Sequence, residues 1–460
     1  MKKYRSLPLF FLALVLALSL FTPALAVSSP GEEFSPVNAA SAILIDADYG
    51  EVLYEQAADE LRYPASITKV MTGLLTVEAV DRGELSLDAQ VTLGDTLYTG
   101  IGEGGSTQDL KPGEILTVRD LLNCALIPSA NEACNALAVV VAGSIPAFVE
   151  LMNQRAAELG MDNTHFVNTH GYHDDSHYTT ARDISRMCLE AMKHPDFRDI
   201  VSSVSYTVPA TNLHAQRELH DTNALVSNFR TGSTGLLYRY AIGIKTGSTP
   251  EAGYCLASAA EKNGRTMIAV VLGGENWRVK GVDVENNYFT ESKRLLEYGF
   301  NSFSRKEVLS PIDPVGTIPV SLCAEQDYVT VQPALGLEAT LPNDLDPAVF
   351  DRQVTLPETL EAPIAKGQVL GSIALSYEGK DYGTVDLVAT TALERSQFLY
   401  VLDQVQRFFG HLWVKIALLA VVILILILVV RHLVFGSSRR NRRGGSAPKV
   451  YRSSYRGKRR

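Results

Sequence analysis

Pro64-Ala65-Ser66-Ile67-Thr68-Lys69 leads into Val70, Leu74, Val77 and Ala79, an apolar spacing that predicts a helix from Ser66 to Val80. A serine and a lysine three residues apart lie over one helical face. The lysine amine can then reach the hydroxyl, which is a poor nucleophile until a base takes its proton. Such a lysine must be neutral part of the time, and desolvation or a second nearby cation favours that. The helix N-terminus also favours negative charge developing at Ser66. Taken alone, the same string reads equally well as a helix N-cap followed by a surface lysine.

Two further strings complete a constellation. Ser129-Ala130-Asn131 follows the helix-ending Ile127-Pro128 and lies between helix candidates at 116–126 and 132–142. In a catalytic reading Ser129 relays a proton to a leaving group and Asn131 holds a substrate amide. Read alone, the string is an inter-helix turn. Lys245-Thr246-Gly247 follows the strand-like Ala241-Ile242-Gly243-Ile244. A strand edge can pair with an extended peptide. Lys245 supplies the second cation, and with Thr246 it can hold a terminal carboxylate. Gly247 lets a substrate backbone come close. The N–H groups of Ser66 and Ser248 are the candidate oxyanion hole, a feature often worth ~3–4 kcal/mol in rate. Each string is weak by itself; the three in this order are a strong signal.

The run His170-Gly171-Tyr172-His173-Asp174-Asp175-Ser176-His177 is rich in metal-type ligands. It lacks the H-E-x-x-H spacing of a helical zinc site and reads as a structural loop near the site, so neither a metal nor a cofactor is expected.

The 460-residue chain opens with Lys2, Lys3 and Arg5, an apolar stretch from Leu7 to Phe21, and Ala24-Leu25-Ala26. That is the pattern of a cleavable secretory signal over residues 1–26. Residues 412–430 form an apolar run interrupted only by Lys415. About 19 residues at ~1.5 Å each match the ~30 Å core of a bilayer. Eleven Lys or Arg and no acidic residue follow from Arg431 onward. The positive-inside rule makes 431–460 a cytoplasmic tail, with the bulk of the chain outside. The net charge of −9 hides this asymmetry, because residues 27–430 carry about −23. So acidic an ectodomain argues against nucleic-acid binding. Cys124, Cys134, Cys188, Cys255 and Cys323 are odd in number and match no zinc or redox spacing. They read as buried thiols, with a Cys124–Cys134 disulfide as the alternative.

Residues 38–300 mix strand and helix patterns. A hairpin is expected from Ala42-Ile43-Leu44-Ile45 and Glu51-Val52-Leu53-Tyr54, around Asp46-Ala47-Asp48-Tyr49-Gly50. Strands are expected at 254–259 and 266–272, joined by Asn263-Gly264, with a helix at 293–298. Residues 306–390 read as a small all-β domain, and 391–411 as an amphipathic helical stalk running into the span.

At these strings the chain resembles the D-alanyl-D-alanine carboxypeptidases, low-molecular-mass penicillin-binding proteins of the serine peptidase type. The resemblance covers about residues 38–395 and includes His170-Gly171, Tyr178-Thr179-Thr180-Ala181-Arg182-Asp183 and Lys245-Thr246-Gly247-Ser248-Thr249-Pro250-Glu251-Ala252-Gly253. It implies a β-lactamase/transpeptidase-like α/β sandwich, with an antiparallel sheet and a helical subdomain, followed by a β domain that raises it off the membrane. It implies removal of the terminal D-Ala from peptidoglycan pentapeptide stems, with β-lactams as inhibitors that acylate the same serine. Ser66 becomes the nucleophile, Lys69 the base, Ser129 and Asn131 the second motif and Lys245 the third. The middle motif departs slightly, reading S-A-N where relatives have S-G-N or S-D-N. The anchor departs more, being a span with a basic tail where the family has an amphipathic helix. A β-lactamase, an endopeptidase acting on cross-links and a non-catalytic penicillin-binding sensor are the alternative readings.

Overall fold

The hairpin around Asp46–Gly50 is the edge of the main sheet. The computed structural model describes residues 34–232, 234–274 and 287–436; the signal segment and the tail beyond Gly436 lie outside the described residues. Strands β1 (Ala39–Asp46) and β2 (Glu51–Gln56) are followed by two small pairs. These are β3 (Gln90–Thr92) with β4 (Ile115–Thr117), and β5 (Ser205–Val208) with β6 (Arg217–His220). Then come β7 (Ala241–Thr249), β8 (Gly253–Lys262) and β9 (Arg265–Gly274), which join β1 and β2 in a five-stranded antiparallel sheet of order β2-β1-β9-β8-β7. Asn263 and Gly264 both have positive φ (54° and 72°), as a two-residue turn matched to the strand twist requires.

Side chains alternate across this sheet. Ile43, Ile45, Ala257, Ile268 and Val270 enter one core. Ala42, Leu44, Leu256, Ala269 and Val271 enter another. Burial on both faces explains why the sequence reads as unbroken apolar runs there. The first core is closed by helices α1 (Lys69–Asp81), α2 (Val118–Leu126), α3 (Asn131–Ala142), α4 (Ile145–Glu158), α5 (Ala181–Ala191) and α6 (Pro195–Val201). The second lies under α7 (Asn287–Ser302), through Phe289, Leu295 and Leu296. The result is a layered α/β sandwich with a helical subdomain. Helix ends follow local chemistry: Thr117 and Asp120 form a capping box on α2, and Gly143, at φ +75°, closes α3. The helix expected from Ser66 is a 3-10 turn (Ala65–Thr68) that passes into α1.

The described residues fall into two compact units, one within 34–307 and 338–348 and the other within 308–337 and 349–436. Strands β10 (Phe303–Leu309) and β13 (Leu337–Pro342) pair. In the first unit Thr340 Oγ1 donates to buried Asp46 at 2.7 Å. The second unit is built on a six-stranded sheet from β11 (Gly316–Ser321), β12 (Tyr328–Pro333), β14 (Asp351–Thr355), β15 (Leu360–Glu361), β16 (Val369–Tyr377) and β17 (Lys380–Ala389). Its order is β14-β16-β17-β12-β11-β15. Helices α8 (Gln397–Gly410) and α9 (Leu412–Gly436) follow. His411 between them is extended, with ψ 133°, so stalk and apolar helix are separate elements. The apolar stretch of α9 runs Leu412–Val434, 23 residues with mean hydropathy 3.2, long enough to cross a bilayer. All five cysteines are free thiols; Cys124, Cys134, Cys188 and Cys255 are buried.

Candidate active site

Ser66 lies in the 3-10 turn, just after Ala65, whose φ is +47°. A non-glycine residue in left-handed backbone is strained and marks functional turns more often than ordinary ones. Lys69 is the first residue of α1, a helix buried on nearly every side, and is itself 0% exposed. Its Nζ donates to Ser66 Oγ at 2.7 Å and to the His170 carbonyl at 2.8 Å. Burial lowers its pKa to about 8, with Cys134 and Glu132 acting in the opposite direction. Lys245 is the second cation, and repulsion between two ammonium groups disfavours the charge on either one. Lys245, 1% exposed, is lowered by burial and then by the charge of Lys69.

Gly171 fixes the loop that supplies the His170 carbonyl. Its φ is +81°, and a Cβ there would lie 1.8 Å from the Ala65 carbonyl oxygen. Asn168 Oδ1 accepts from the Gly171 N–H at 2.7 Å. Further along the same loop, His177 Nε2 lies 2.9 Å from Thr68 Oγ1. Burial drives both His170 and His177 down to about 3, so both are neutral at pH 7. The histidine-rich run is thus packed onto the S-x-x-K turn. The one three-ligand group found among the described residues, Glu78, Glu190 and His194, is elsewhere. There Arg155 Nη2 already bonds Glu78 at 2.7 Å and Glu190 at 3.2 Å.

The second string occupies the junction of α2 and α3. Ser129 has φ +74°, and Ser129 and Asn131 are both buried. The Asn131 N–H donates to the Ser106 carbonyl at 2.8 Å. Glu132, fully buried, accepts from the Gln108 N–H at 2.6 Å, and burial raises its pKa. Asn131 and Glu132 therefore tie the 105–110 loop to the head of α3.

The third string lies on β7, the outer strand of the sheet, with one edge unpaired among the described residues. Alternation puts Lys245 and Gly247 on the face of the 3-10 turn, and Thr246 on the other. A Cβ on Gly247 would come within 3.0 Å of Pro64 O and Ser66 N. The glycine thus eases the close approach of β7 to the Ser66 turn. Ser248, next along, is exposed at the strand edge. The strings thus contribute a hydroxyl bonded to a buried amine, a second buried amine within electrostatic reach, and an open strand edge against the hydroxyl's turn. Motif reading missed the His170 carbonyl, Glu132 and Thr222, whose Oγ1 lies 2.6 Å from Thr246 Oγ1. Only Glu132 carried a signal, as a charge inside an apolar helix.

Comparison with known proteins places both parts of the chain in described families. Residues 26–276 match the family described as D-alanyl-D-alanine carboxypeptidase, and residues 303–395 match the penicillin-binding protein 5 C-terminal domain. D-alanyl-D-alanine carboxypeptidase DacA of Escherichia coli (strain K12) is 32% identical over 380 residues, covering 82% of this chain and 89% of that one. DacF of Bacillus subtilis (strain 168), of the same description, is 29% identical over 386 residues, covering 84% and 94%. The crystal structure of penicillin binding protein 5 from Haemophilus influenzae superposes with a TM-score of 0.62 at 26% identity, covering 79% of this chain and all of that one. The chain belongs to the D-alanyl-D-alanine carboxypeptidase family of serine peptidases.

Proposed function

We propose that Ser66 is the acyl-enzyme nucleophile through which this carboxypeptidase removes the terminal D-Ala of peptidoglycan pentapeptide stems. The observation that carries this is the 2.7 Å contact from the amine of a fully buried Lys69 to Ser66 Oγ. Lys69, neutral, takes the hydroxyl proton as Oγ attacks the penultimate D-Ala carbonyl. The N–H groups of Ser66 and Ser248 hold the oxyanion. Ser129 passes a proton to the departing amine of the terminal D-Ala, and Asn131 holds a stem amide. Lys245 and Thr246, whose side chains leave opposite faces of β7, meet the terminal carboxylate at the open edge of that strand, along which the stem pairs. Water then attacks the ester and regenerates Ser66. β-Lactams enter by the same attack.

The rest of the chain is read to match. Residues 1–26 are removed on export, residues 38–300 carry the chemistry and residues 306–390 form the β-rich domain. The 412–430 segment anchors the protein, with the basic tail in the cytoplasm, as the excess of Lys and Arg after Arg431 supports.

The test is D-alanine release from a synthetic stem ending in D-Ala-D-Ala, using the full chain in detergent and a Ser66→Ala control. Release that the control abolishes is expected. Penicillin labelling of Ser66 without release would overturn the carboxypeptidase assignment in favour of a sensor or an enzyme for cross-linked stems.

A further inference from the structure

The strand that carries Lys245-Thr246-Gly247 is gripped from the side by Asp221-Thr222-Asn223, directly after β6. The Asp221 N–H donates to the Val204 carbonyl at 3.0 Å. Asp221 Oδ1 accepts from the Asn223 N–H at 2.7 Å, and Asn223 Oδ1 accepts from the Leu225 N–H at 3.0 Å. Two consecutive side-chain-to-backbone turns of this kind hold a segment rigid. Asn223 Nδ2 then donates to the Gly243 carbonyl at 3.0 Å, two residues before Lys245. Asp221 is 4% exposed and Asn223 0%, while Ala224 and Leu225 are buried in the core beneath α7. This clamp ends at one contact with the motif itself, Thr222 Oγ1 to Thr246 Oγ1 at 2.6 Å.

A hydroxyl has one proton to donate and lone pairs to accept with. A carboxylate only accepts. If Thr246 holds a terminal carboxylate, its single proton must point at the substrate. The Thr222–Thr246 contact must then run the other way, with Thr222 donating and Thr246 accepting. We propose that Thr222 is a positioning residue, whose hydroxyl, held by the Asp221–Asn223 clamp, orients the Thr246 proton toward the free C-terminal carboxylate of the substrate. Thr222 thereby contributes to the preference of the enzyme for a peptide with an ionised end, without touching the scissile bond. The inference rests on the reading of Lys245 and Thr246 as the carboxylate site.

The experiment compares kcat/KM of the full chain on a stem ending in D-Ala-D-Ala with a free carboxylate and on the same stem ending in the carboxamide. The wild-type enzyme is expected to prefer the carboxylate. Thr222→Val is expected to lower kcat/KM on the carboxylate by about tenfold or more, the usual loss for a hydrogen bond serving a charged group. On the carboxamide it should stay within about twofold, and Thr222→Ser should restore the preference. In a Thr246→Val background the Thr222→Val effect should vanish, because the two act through one bond. Equal losses on both substrates would make Thr222 merely structural and overturn the proposal. So would an undiminished carboxylate preference in Thr222→Val. A wild-type enzyme that does not discriminate between the two ends would instead overturn the carboxylate-site reading, whatever Thr222 does. Should Thr222→Val fold poorly, Thr222→Ala with Thr222→Ser gives the same comparison.

Discussion

Lys69 is expected to set the pH dependence of acylation. Its amine bonds Ser66 Oγ and the His170 carbonyl, and burial brings its pKa to about 8. At pH 7 about a tenth of the lysine is then neutral, against roughly one part in 2,500 for a solvated lysine near 10.4. Burial thus supplies about two hundredfold more free base at neutral pH. Because kcat/KM reports the free enzyme, its logarithm should climb with unit slope as Lys69 loses its proton, and fall at higher pH as Lys245, whose pKa burial also lowers, loses the charge that meets the carboxylate. The assay is D-alanine release at substrate far below KM, from pH 5.5 to 9.5. Lys69→Arg should lose about a thousandfold or more at every pH, since a guanidinium does not give up its proton in this range. The same shift has a stability consequence of definite sign. The folded pKa lies below the unfolded one, so between pH ~8 and ~10.4 the unfolded chain binds more protons and stability rises with pH. Below pH 8 the charged, buried amine costs about 3 kcal/mol relative to high pH. Lys69→Met should therefore melt higher than the wild-type protein at pH 7 while losing activity. A profile that is flat, or that rises around pH 6, would refute the assignment of Lys69 as the titrating base. So would a Lys69→Arg variant that kept the rise.

Two further outcomes follow from the packing. Gly171→Ala places a methyl 1.8 Å from the Ala65 carbonyl oxygen at φ +81°. Left-handed strain and forced displacement together should cost about 3 kcal/mol. Fluorescent penicillin labelling should be lost and melting lowered by roughly 6–12 °C; unchanged labelling would mean that the loop moves freely past the Ser66 turn. Arg217 pairs with fully buried Glu114 through two bonds, at 2.7 and 3.0 Å. Burial raises Glu114, but donors from Arg217, Thr211 and Lys111 outweigh it and leave its pKa lowered. Its stabilisation is therefore present above the unfolded pKa of ~4.3 and is lost as pH falls through the folded value. Arg217→Met should cost about 3–5 kcal/mol at pH 7 by stranding the carboxylate. The gap from wild type should narrow on acidification, as Glu114 takes a proton; melting curves showing a constant gap from pH 7 to 4 would rule this account out.

Much of the site was legible because its first pair is local. Ser66 and Lys69 are three residues apart, and helical geometry alone brings them together. The hairpin strands, the paired strands around Asn263-Gly264 and the apolar helix expected at 412–430 were legible for the same reason, since periodicity and hydropathy are properties of short windows. Only the first turn of the helix expected from Ser66 differs, being 3-10 over Ala65–Thr68 before the α-helix begins at Lys69.

What the sequence alone determined, then, was which groups can react and in what local order. The pKa of Lys69 was settled by burial, and burial is a sum over residues far apart in the chain. Its amine donates a second hydrogen bond to a carbonyl 101 positions away, and every residue carries a carbonyl, so no pattern marks that one. Gly247 eases the approach of β7 to the Ser66 turn, and Thr222 matters through a hydroxyl 24 positions on. Those roles exist only where two distant backbones meet, so only the tertiary structure could decide them.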